Sequence, residues 1–139
     1  MLPKRGGSVL LSIADKDKPT ANSLIKRLIE SDFQIYATEG TSKCVKAIGF
    51  ESVKMVSKIG TGNPNVVDLV EGRMVDMVVN TMSGTPGQIR DGFQIRRAAV
   101  ERRIPCFTSL DTANAALEAL RIVEGQYQVK SQKEYLSMI

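Results

Sequence analysis

Charged and polar residues follow each of five short apolar segments of this sequence, and the lysine, hydroxyl and amide groups among them suit an anion. Lysine brings positive charge, and hydroxyl and amide groups donate hydrogen bonds to oxyanions. Taken segment by segment, the residues are Asp15, Asp17 and Lys18; Thr38 and Thr41; Ser57 and Lys58; Asn80, Thr81 and Ser83; and Thr108 and Ser109. If they converge in space, these residues predict a binding site for a phosphate group.

Each of these residues also has a plainer interpretation. Thr38 or Thr41 can cap the helix that follows. Lys18 or Lys58 can be a solvated side chain, and the Asn80-Thr81 pair can be ordinary turn chemistry. Because no single residue decides between the interpretations, the predicted site depends on their convergence.

An alternation of strands and helices would bring these residues together. Apolar runs predict strands at Ser8–Ile13, Phe33–Ala37, Ser52–Val56, Met74–Val79 and Pro105–Phe107. Helical spacing predicts helices from a cap at Asp17, over Thr41–Ile48, Val66–Glu71 and Ile89–Arg102, and from a cap at Ser109 or Asp111. This alternation predicts an α/β fold with a parallel sheet covered on both faces, whose ligands bind at the carboxyl ends of the strands. Helix N-termini at that edge also attract anions.

The composition suits one soluble domain and excludes several kinds of site. The 139 residues are enough for one core, and no apolar run approaches the roughly 20 residues of a membrane span, so a cytoplasmic protein without membrane contact is expected. The absence of histidine excludes histidine triads and histidine metal sites. Cys44 and Cys106 are isolated, without metal-ligand spacing, and are predicted to be reduced and buried. No cofactor is expected in this domain. A net charge of +4 with 5% aromatic residues does not favour nucleic-acid binding.

Both ends of the chain are predicted to lie outside the folded domain. Residues 1–7, MLPKRGG, are interpreted as a linker, and residues 126–139 as a polar C-terminal tail. The domain itself is therefore predicted to cover residues 8–125.

Five stretches, in order along the chain, resemble one family. They are LLSIADKDK (10–18), ATEGTS (37–42), VSKIGTGNPNVVDLVEG (56–72), VVNTMSG (78–84) and IRRAAVERRIPCFTSLDTA (95–113). Together they closely resemble the C-terminal allosteric domain of the large subunit of carbamoyl phosphate synthetase, a domain of the methylglyoxal-synthase-like fold. The resemblance covers about residues 6–123 and implies a Rossmann-like, three-layer domain with a five-stranded parallel sheet.

The resemblance also implies which residues bind a ligand. In the family, the site takes the phosphate of a nucleotide effector, UMP or IMP in the bacterial enzymes. By motif position, Lys18 matches the family's phosphate-contacting lysine, and Thr38 and Thr41 match its threonine pair. Further matches are a second lysine, the asparagine after the fourth strand and a serine near the same pocket: Lys58, Asn80 and Ser12.

The function that the resemblance implies is regulation. The whole synthetase is a ligase of arginine and pyrimidine biosynthesis, and its allosteric domain modulates it. This chain contains neither ATP-grasp machinery nor a glutaminase, so it is not expected to be an enzyme by itself. Its expected partners are a nucleotide effector, the remaining synthetase domains of the large subunit and the glutaminase small subunit.

One residue departs from the family pattern. Bacterial members often have Asn-Thr-Thr where this chain has Asn80-Thr81-Met82, and the second threonine helps to hold the nucleotide. Met82 cannot donate that hydrogen bond, although it can pack against a base or close part of the pocket. Animal relatives bind N-acetylglutamate in this fold, so an amino-acid effector stays open as an alternative.

The enzyme alternative is a lyase like methylglyoxal synthase, acting on dihydroxyacetone phosphate. Members of that family use an aspartate as general base, with a histidine assisting. The matching position here is Asn63, and Asp68 is better interpreted as part of a helix face. A purine-pathway cyclohydrolase of the same fold is less favoured still. Arg96 and Arg97 are predicted to lie on a solvated basic face, or on a face that docks on the synthetase.

Overall fold

A five-stranded parallel sheet forms the centre of the domain in the computed structural model, which describes residues 6–60, 62, 64–82 and 84–137. The strands are β1 (Ser8–Ser12), β2 (Gln34–Ala37), β3 (Lys54–Met55), β4 (Met77–Asn80) and β5 (Cys106–Phe107). Their order is β3-β2-β1-β4-β5, and every neighbouring pair is parallel. The predicted α/β fold with five parallel strands is confirmed.

Helices connect the strands and cover both faces of the sheet. They are a 3-10 helix (Asp15–Thr20), α1 (Asn22–Glu30), α2 (Glu39–Ala47), α3 (Val66–Glu71), α4 (Pro86–Glu101) and α5 (Leu110–Ser137). No helix in the part of the chain that the structure describes is long and apolar enough to cross a membrane.

The apolar core lies on both sides of the sheet. In β1, Val9 and Leu11 pack with α1, α2 and α5, whereas Leu10 packs on the opposite face with α3 and α4. All three side chains are fully buried, and burying a side chain of this size stabilises the fold by about 1.5–3 kcal/mol. Because neither face meets water, the inner strands are apolar throughout instead of alternating with polar residues. The three-layer arrangement follows from this burial.

Some local predictions differ from the structure. Asp17 does not cap α1, because the chain first forms the 3-10 helix and α1 begins after Ala21, which makes no side-chain capping bond. Cys44 and Cys106 are free, but each is only partly buried. Partial burial still raises the pKa of the Cys106 thiol to about 11, so this thiol stays protonated at neutral pH and is a poor nucleophile.

Helices α4 and α5 exceed their predicted bounds. The N-cap of α4 is Thr85, whose hydroxyl accepts a bond of 3.4 Å from the Gln88 amide, and the helix starts at Pro86 instead of near Ile89. Ser109 caps α5, as predicted, by accepting a bond of 3.2 Å from the Thr112 amide. Helix α5 then continues to Ser137, past the predicted end of the domain at residue 125. The division into linker, domain and tail stays a prediction.

Candidate functional site

A cavity of about 340 Å³ lies at the carboxyl edge of the sheet, where the sequence predicted a site. We call it the site cavity. Its floor is formed by the ends of β1 and β4, and its walls by the 3-10 helix, α2, the segment after β3, and α4. Seven of the eight predicted site residues line it: Ser12, Lys18, Thr38, Lys58, Asn80, Thr81 and Met82. The eighth, Thr41, does not.

Positive charge gathers at one end of the site cavity. Lys18 forms an ion pair with Asp15, and its ammonium group lies above the first turn of α2. A Cβ placed on Gly40 would come within 2.7 Å of the Lys18 Nζ, so glycine leaves room for this approach. A lysine over a helix N-terminus opposes the positive end of the helix dipole. The Lys18 ammonium group and the N-terminus of α2 therefore lie close together, and both attract an anion.

Asp15 is the counter-ion of Lys18 at this end of the site cavity. Its hydrogen bond to Lys18 and the charge of Lys18 hold the pKa of the Asp15 carboxyl below its usual range, and Lys58 acts in the same direction. The carboxylate is therefore ionised at neutral pH. Its side chain is 93% exposed, so water screens the pair strongly. An anionic ligand would compete with Asp15 for Lys18.

Thr38, just before α2, and Thr41, in its first turn, have different positions relative to the site cavity. Thr38 precedes α2 and lines the cavity, but its side chain makes no capping bond. Instead its hydroxyl donates to the Thr41 hydroxyl at 3.2 Å, and Thr41 accepts from the amide of Ile13 at 3.1 Å. Thr38 therefore occupies the N-cap position of α2, but its side chain does not cap the helix. Thr41 lies behind the cavity wall and fixes α2 to the end of β1.

Asn80, the last residue of β4, and Thr81 form part of the floor of the site cavity. The Thr81 hydroxyl accepts from the Ala14 amide at 2.8 Å, and the Thr81 amide donates to the Ser12 carbonyl at 3.0 Å, so Thr81 holds two loops together. Asn80 is only 4% exposed, and its Nδ2 has no hydrogen-bond partner among the described residues. A buried donor left unpaired costs about 1–3 kcal/mol. A ligand acceptor in the cavity would satisfy it.

Helix α4 forms a wall that the sequence analysis missed. Thr85, Gln88, Asp91, Gly92 and Ile95 all line the site cavity. The sequence pattern predicted that α4 starts near Ile89, and only the basic residues of this helix were considered as functional. The Thr-Pro pair that begins the helix was the available signal, because proline is favoured in the first turn. The Asp91 carboxylate adds a hydrogen-bond acceptor to this wall.

Several other predicted residues lie outside the site cavity. Asp68 belongs to a capping box with Asn65, in which each side chain accepts from the other backbone amide, at 2.9 and 3.0 Å. Arg97 pairs with Glu101 along α4 at 3.2 Å. Asn63 and Ser83 lie outside the described residues. The helix-face interpretation of Asp68 therefore holds, and Arg97 lies on an exposed part of α4 outside the site cavity.

The residues after β5 line a different cavity. Thr108 and Ser109 border a space of about 270 Å³, which we call the β5-side cavity. Among the described residues, it shares only Thr81 and Met82 with the site cavity. Residues that follow four of the five strands thus line the site cavity together, as predicted. Across the described ranges, no group of three or more cysteines or carboxylates is placed to hold a metal ion.

Comparison with known proteins identifies relatives of this chain. The family described as "MGS-like domain" matches residues 20–108. Over 117 residues (84% of this chain) the sequence is 47% identical to the carbamoyl phosphate synthase large chain of Thermomicrobium roseum, of which it covers 11%. It is 36% identical over 118 residues to the C-terminal section of that large chain from Methanopyrus kandleri, covering 85% of this chain and 22% of the relative.

A further sequence relative and a solved structure agree with these matches. The large chain of Synechocystis sp. is 34% identical over 131 residues, which are 94% of this chain and 12% of the relative. The crystal structure of ForH superposes with a TM-score of 0.54 at 15% identity, covering 93% of each chain, and supports the fold alone. The resemblance found in the sequence is confirmed. This chain spans only 11 to 22% of the length of these curated relatives.

Proposed function

We propose that this chain, which belongs to the MGS-like domain family, is the regulatory domain of a carbamoyl phosphate synthase. We also propose that its site cavity binds a phosphorylated nucleotide such as UMP or IMP. The large-chain relatives support the first part. The charge and shape of the cavity support the second.

One observation carries the nucleotide proposal. Lys18, Lys58 and the first turn of α2 lie at one end of a cavity that also contains the buried Nδ2 of Asn80, which has no hydrogen-bond partner among the described residues. Positive charge, a helix N-terminus and a buried donor together suit a phosphate better than a neutral ligand. Helix α4 contributes the Asp91 carboxylate, which also lines the cavity and can accept hydrogen bonds from sugar hydroxyls. The cavity thus offers donors for a phosphate group and an acceptor for sugar hydroxyls.

Regulation would follow from linkage. An effector that binds this domain more tightly in one state of the whole synthetase shifts the population toward that state. Coupling free energies of this kind are typically about 1–3 kcal/mol. The partners in this proposal are the other domains of the large chain and the glutaminase subunit, in the cytoplasm, within arginine and pyrimidine biosynthesis.

Calorimetric titration of the chain with UMP, IMP, ornithine and N-acetylglutamate tests the proposal. We expect heat of binding with UMP or IMP and none with the other two compounds. Binding of N-acetylglutamate or ornithine alone would replace the nucleotide with an amino-acid effector. Because the chain has no tryptophan, calorimetry is preferable to intrinsic fluorescence.

The first prediction is that the chain does not turn over a triose phosphate. Proton abstraction from carbon needs a positioned base of suitable pKa. Asp15 lines the cavity, but Lys18 lowers its pKa and so makes it a weaker base. Incubation with dihydroxyacetone phosphate should give no methylglyoxal above a protein-free control. Methylglyoxal formed in proportion to the amount of protein would show the lyase alternative to be right.

The second prediction concerns Asp15, the internal competitor for Lys18. Asp15→Asn removes a negative charge next to the proposed phosphate and frees Lys18, so UMP should bind about 2- to 5-fold more tightly. Calorimetry at neutral pH measures the change. Asp17→Asn is the matched control, since Asp17 lies on the same 3-10 helix but does not line the site cavity. Weaker UMP binding to Asp15→Asn would mean that the phosphate does not reach Lys18.

A further inference from the structure

Met82 separates the two cavities at the carboxyl edge of the sheet. The site cavity extends over the ends of β2, β1 and β4, and the β5-side cavity lies beyond β4. Of the residues that the structure describes, only Thr81 and Met82 border both cavities. The Thr81 side chain is fixed, because its hydroxyl accepts from the Ala14 amide at 2.8 Å. A substitution of Met82 can therefore change this partition without removing the hydrogen bond that Thr81 makes in the cavity floor.

Helix α4 holds Met82 in this position. A Cβ on Gly92 would collide with the Met82 sulfur and would lie 3.0 Å from the Asn80 Nδ2. Glycine in the middle of a helix costs roughly 0.5–1 kcal/mol relative to alanine, so its presence needs a reason. Here the reason is space, since the missing side chain forms a notch that receives the thioether. Gly92 and Met82 thus form one packing unit beside the buried amide.

We infer that Met82, seated in the Gly92 notch, is a specificity-determining residue that ends the site cavity on its β5 side and favours a pyrimidine over a purine nucleotide. The inference rests on the proposed function. A phosphate at Lys18 and Lys58 lies over the β2 and β3 side of the sheet, and the sugar and base then extend toward β4. A purine has a second ring and meets Met82 before a pyrimidine does.

Calorimetric titration of UMP and IMP against the native chain and Met82→Ala tests the selectivity. We expect the native chain to bind UMP more tightly than IMP. In Met82→Ala, binding of IMP relative to UMP should improve by about 10-fold, a typical size discrimination by an apolar wall. Met82→Leu, which keeps the bulk but not the sulfur, should retain the native ratio. An unchanged ratio in Met82→Ala would overturn the inference.

A test without ligand examines the packing unit itself. Gly92→Ala should lower the melting temperature of the native chain by roughly 3–6 °C more than it lowers that of Met82→Ala, because the colliding sulfur is absent in the second background. Equal losses in both backgrounds would show that Met82 does not occupy the notch and would overturn the inference.

The two tests also separate this inference from the proposed function. If nucleotides bind but Met82→Ala leaves their ratio unchanged, the selectivity role is wrong and the effector site stands. If neither UMP nor IMP binds the native chain or Met82→Ala, the proposed function is wrong, and the selectivity inference falls with it. The stability measurement reports in either case whether Met82 rests on Gly92.

Discussion

Asn80→Asp is expected to weaken UMP binding by more than about 100-fold at neutral pH, the largest effect of any single substitution proposed for this chain. The change is nearly isosteric, so the shape of the cavity floor is kept. An ionised carboxylate accepts hydrogen bonds but donates none. The buried donor is lost, and a negative charge enters the cavity that would hold the anionic nucleotide. Two like charges within one small cavity, about 4 to 8 Å apart, repel by about 2–4 kcal/mol at an effective dielectric constant of 20.

Asn114→Asp provides the matched control for that experiment. Asn114 lies on α5 away from the site cavity, and its Oδ1 is buried without a hydrogen-bond partner among the described residues. The same amide-to-acid change there introduces a comparable buried charge but should leave the Kd of UMP unchanged. Circular dichroism would verify that both variants are folded. If folded Asn80→Asp binds UMP like the native chain, Asn80 does not face the ligand.

Lys18→Ala is expected to weaken UMP binding by about 10- to 100-fold, because a charge-assisted hydrogen bond contributes roughly 1.5–3 kcal/mol and 1.4 kcal/mol is a factor of ten. The Lys18 side chain is 24% exposed, so it is partly shielded from solvent. Its carbonyl accepts from the Ala21 amide at 3.2 Å, and this bond does not involve the side chain. The fold should therefore tolerate alanine.

Lys43→Ala is the control for Lys18→Ala. Lys43 lies on α2 and forms an exposed ion pair of 3.9 Å with Glu39, outside the cavity. Removing it changes the net charge by the same amount without touching the proposed site, so the affinity for UMP should change little. Equal losses in the two variants would indicate a general charge effect, and an unchanged affinity in folded Lys18→Ala would mean that the phosphate is misplaced.

The sheet was predictable because its signals are local. Short apolar runs alternate with helical spacing, and this alternation fixes a parallel sheet whose carboxyl ends share one edge. Lys18, Thr38 and Asn80 were placed at that edge from the sequence, and all three line the cavity. Their roles in binding stay predictions. Strand ends shifted by a few residues, because hydrogen bonds to neighbouring strands decide where a strand ends.

The remainder of the site depends on tertiary contacts that no local pattern encodes. Gly92 is merely an unfavourable residue in a helical stretch until the Met82 sulfur is seen beside it. Thr41 matches the family's threonine pair, yet its hydroxyl is used by the Ile13 amide across 28 positions of sequence. Asp17 was a good capping residue by type, but the chain turned through a 3-10 helix before α1 began.

Amide chemical-shift mapping with UMP tests the central claim most directly, since a 15.2 kDa chain is well suited to NMR. A rival site exists between α1 and α5, where a groove of about 500 Å³ is lined by Arg27 and Arg121. The proposed function predicts that the largest shifts on addition of UMP fall on the amides of Lys18, Gly40 and Asn80. The largest shifts at the groove between α1 and α5, with Gly40 unmoved, would contradict it.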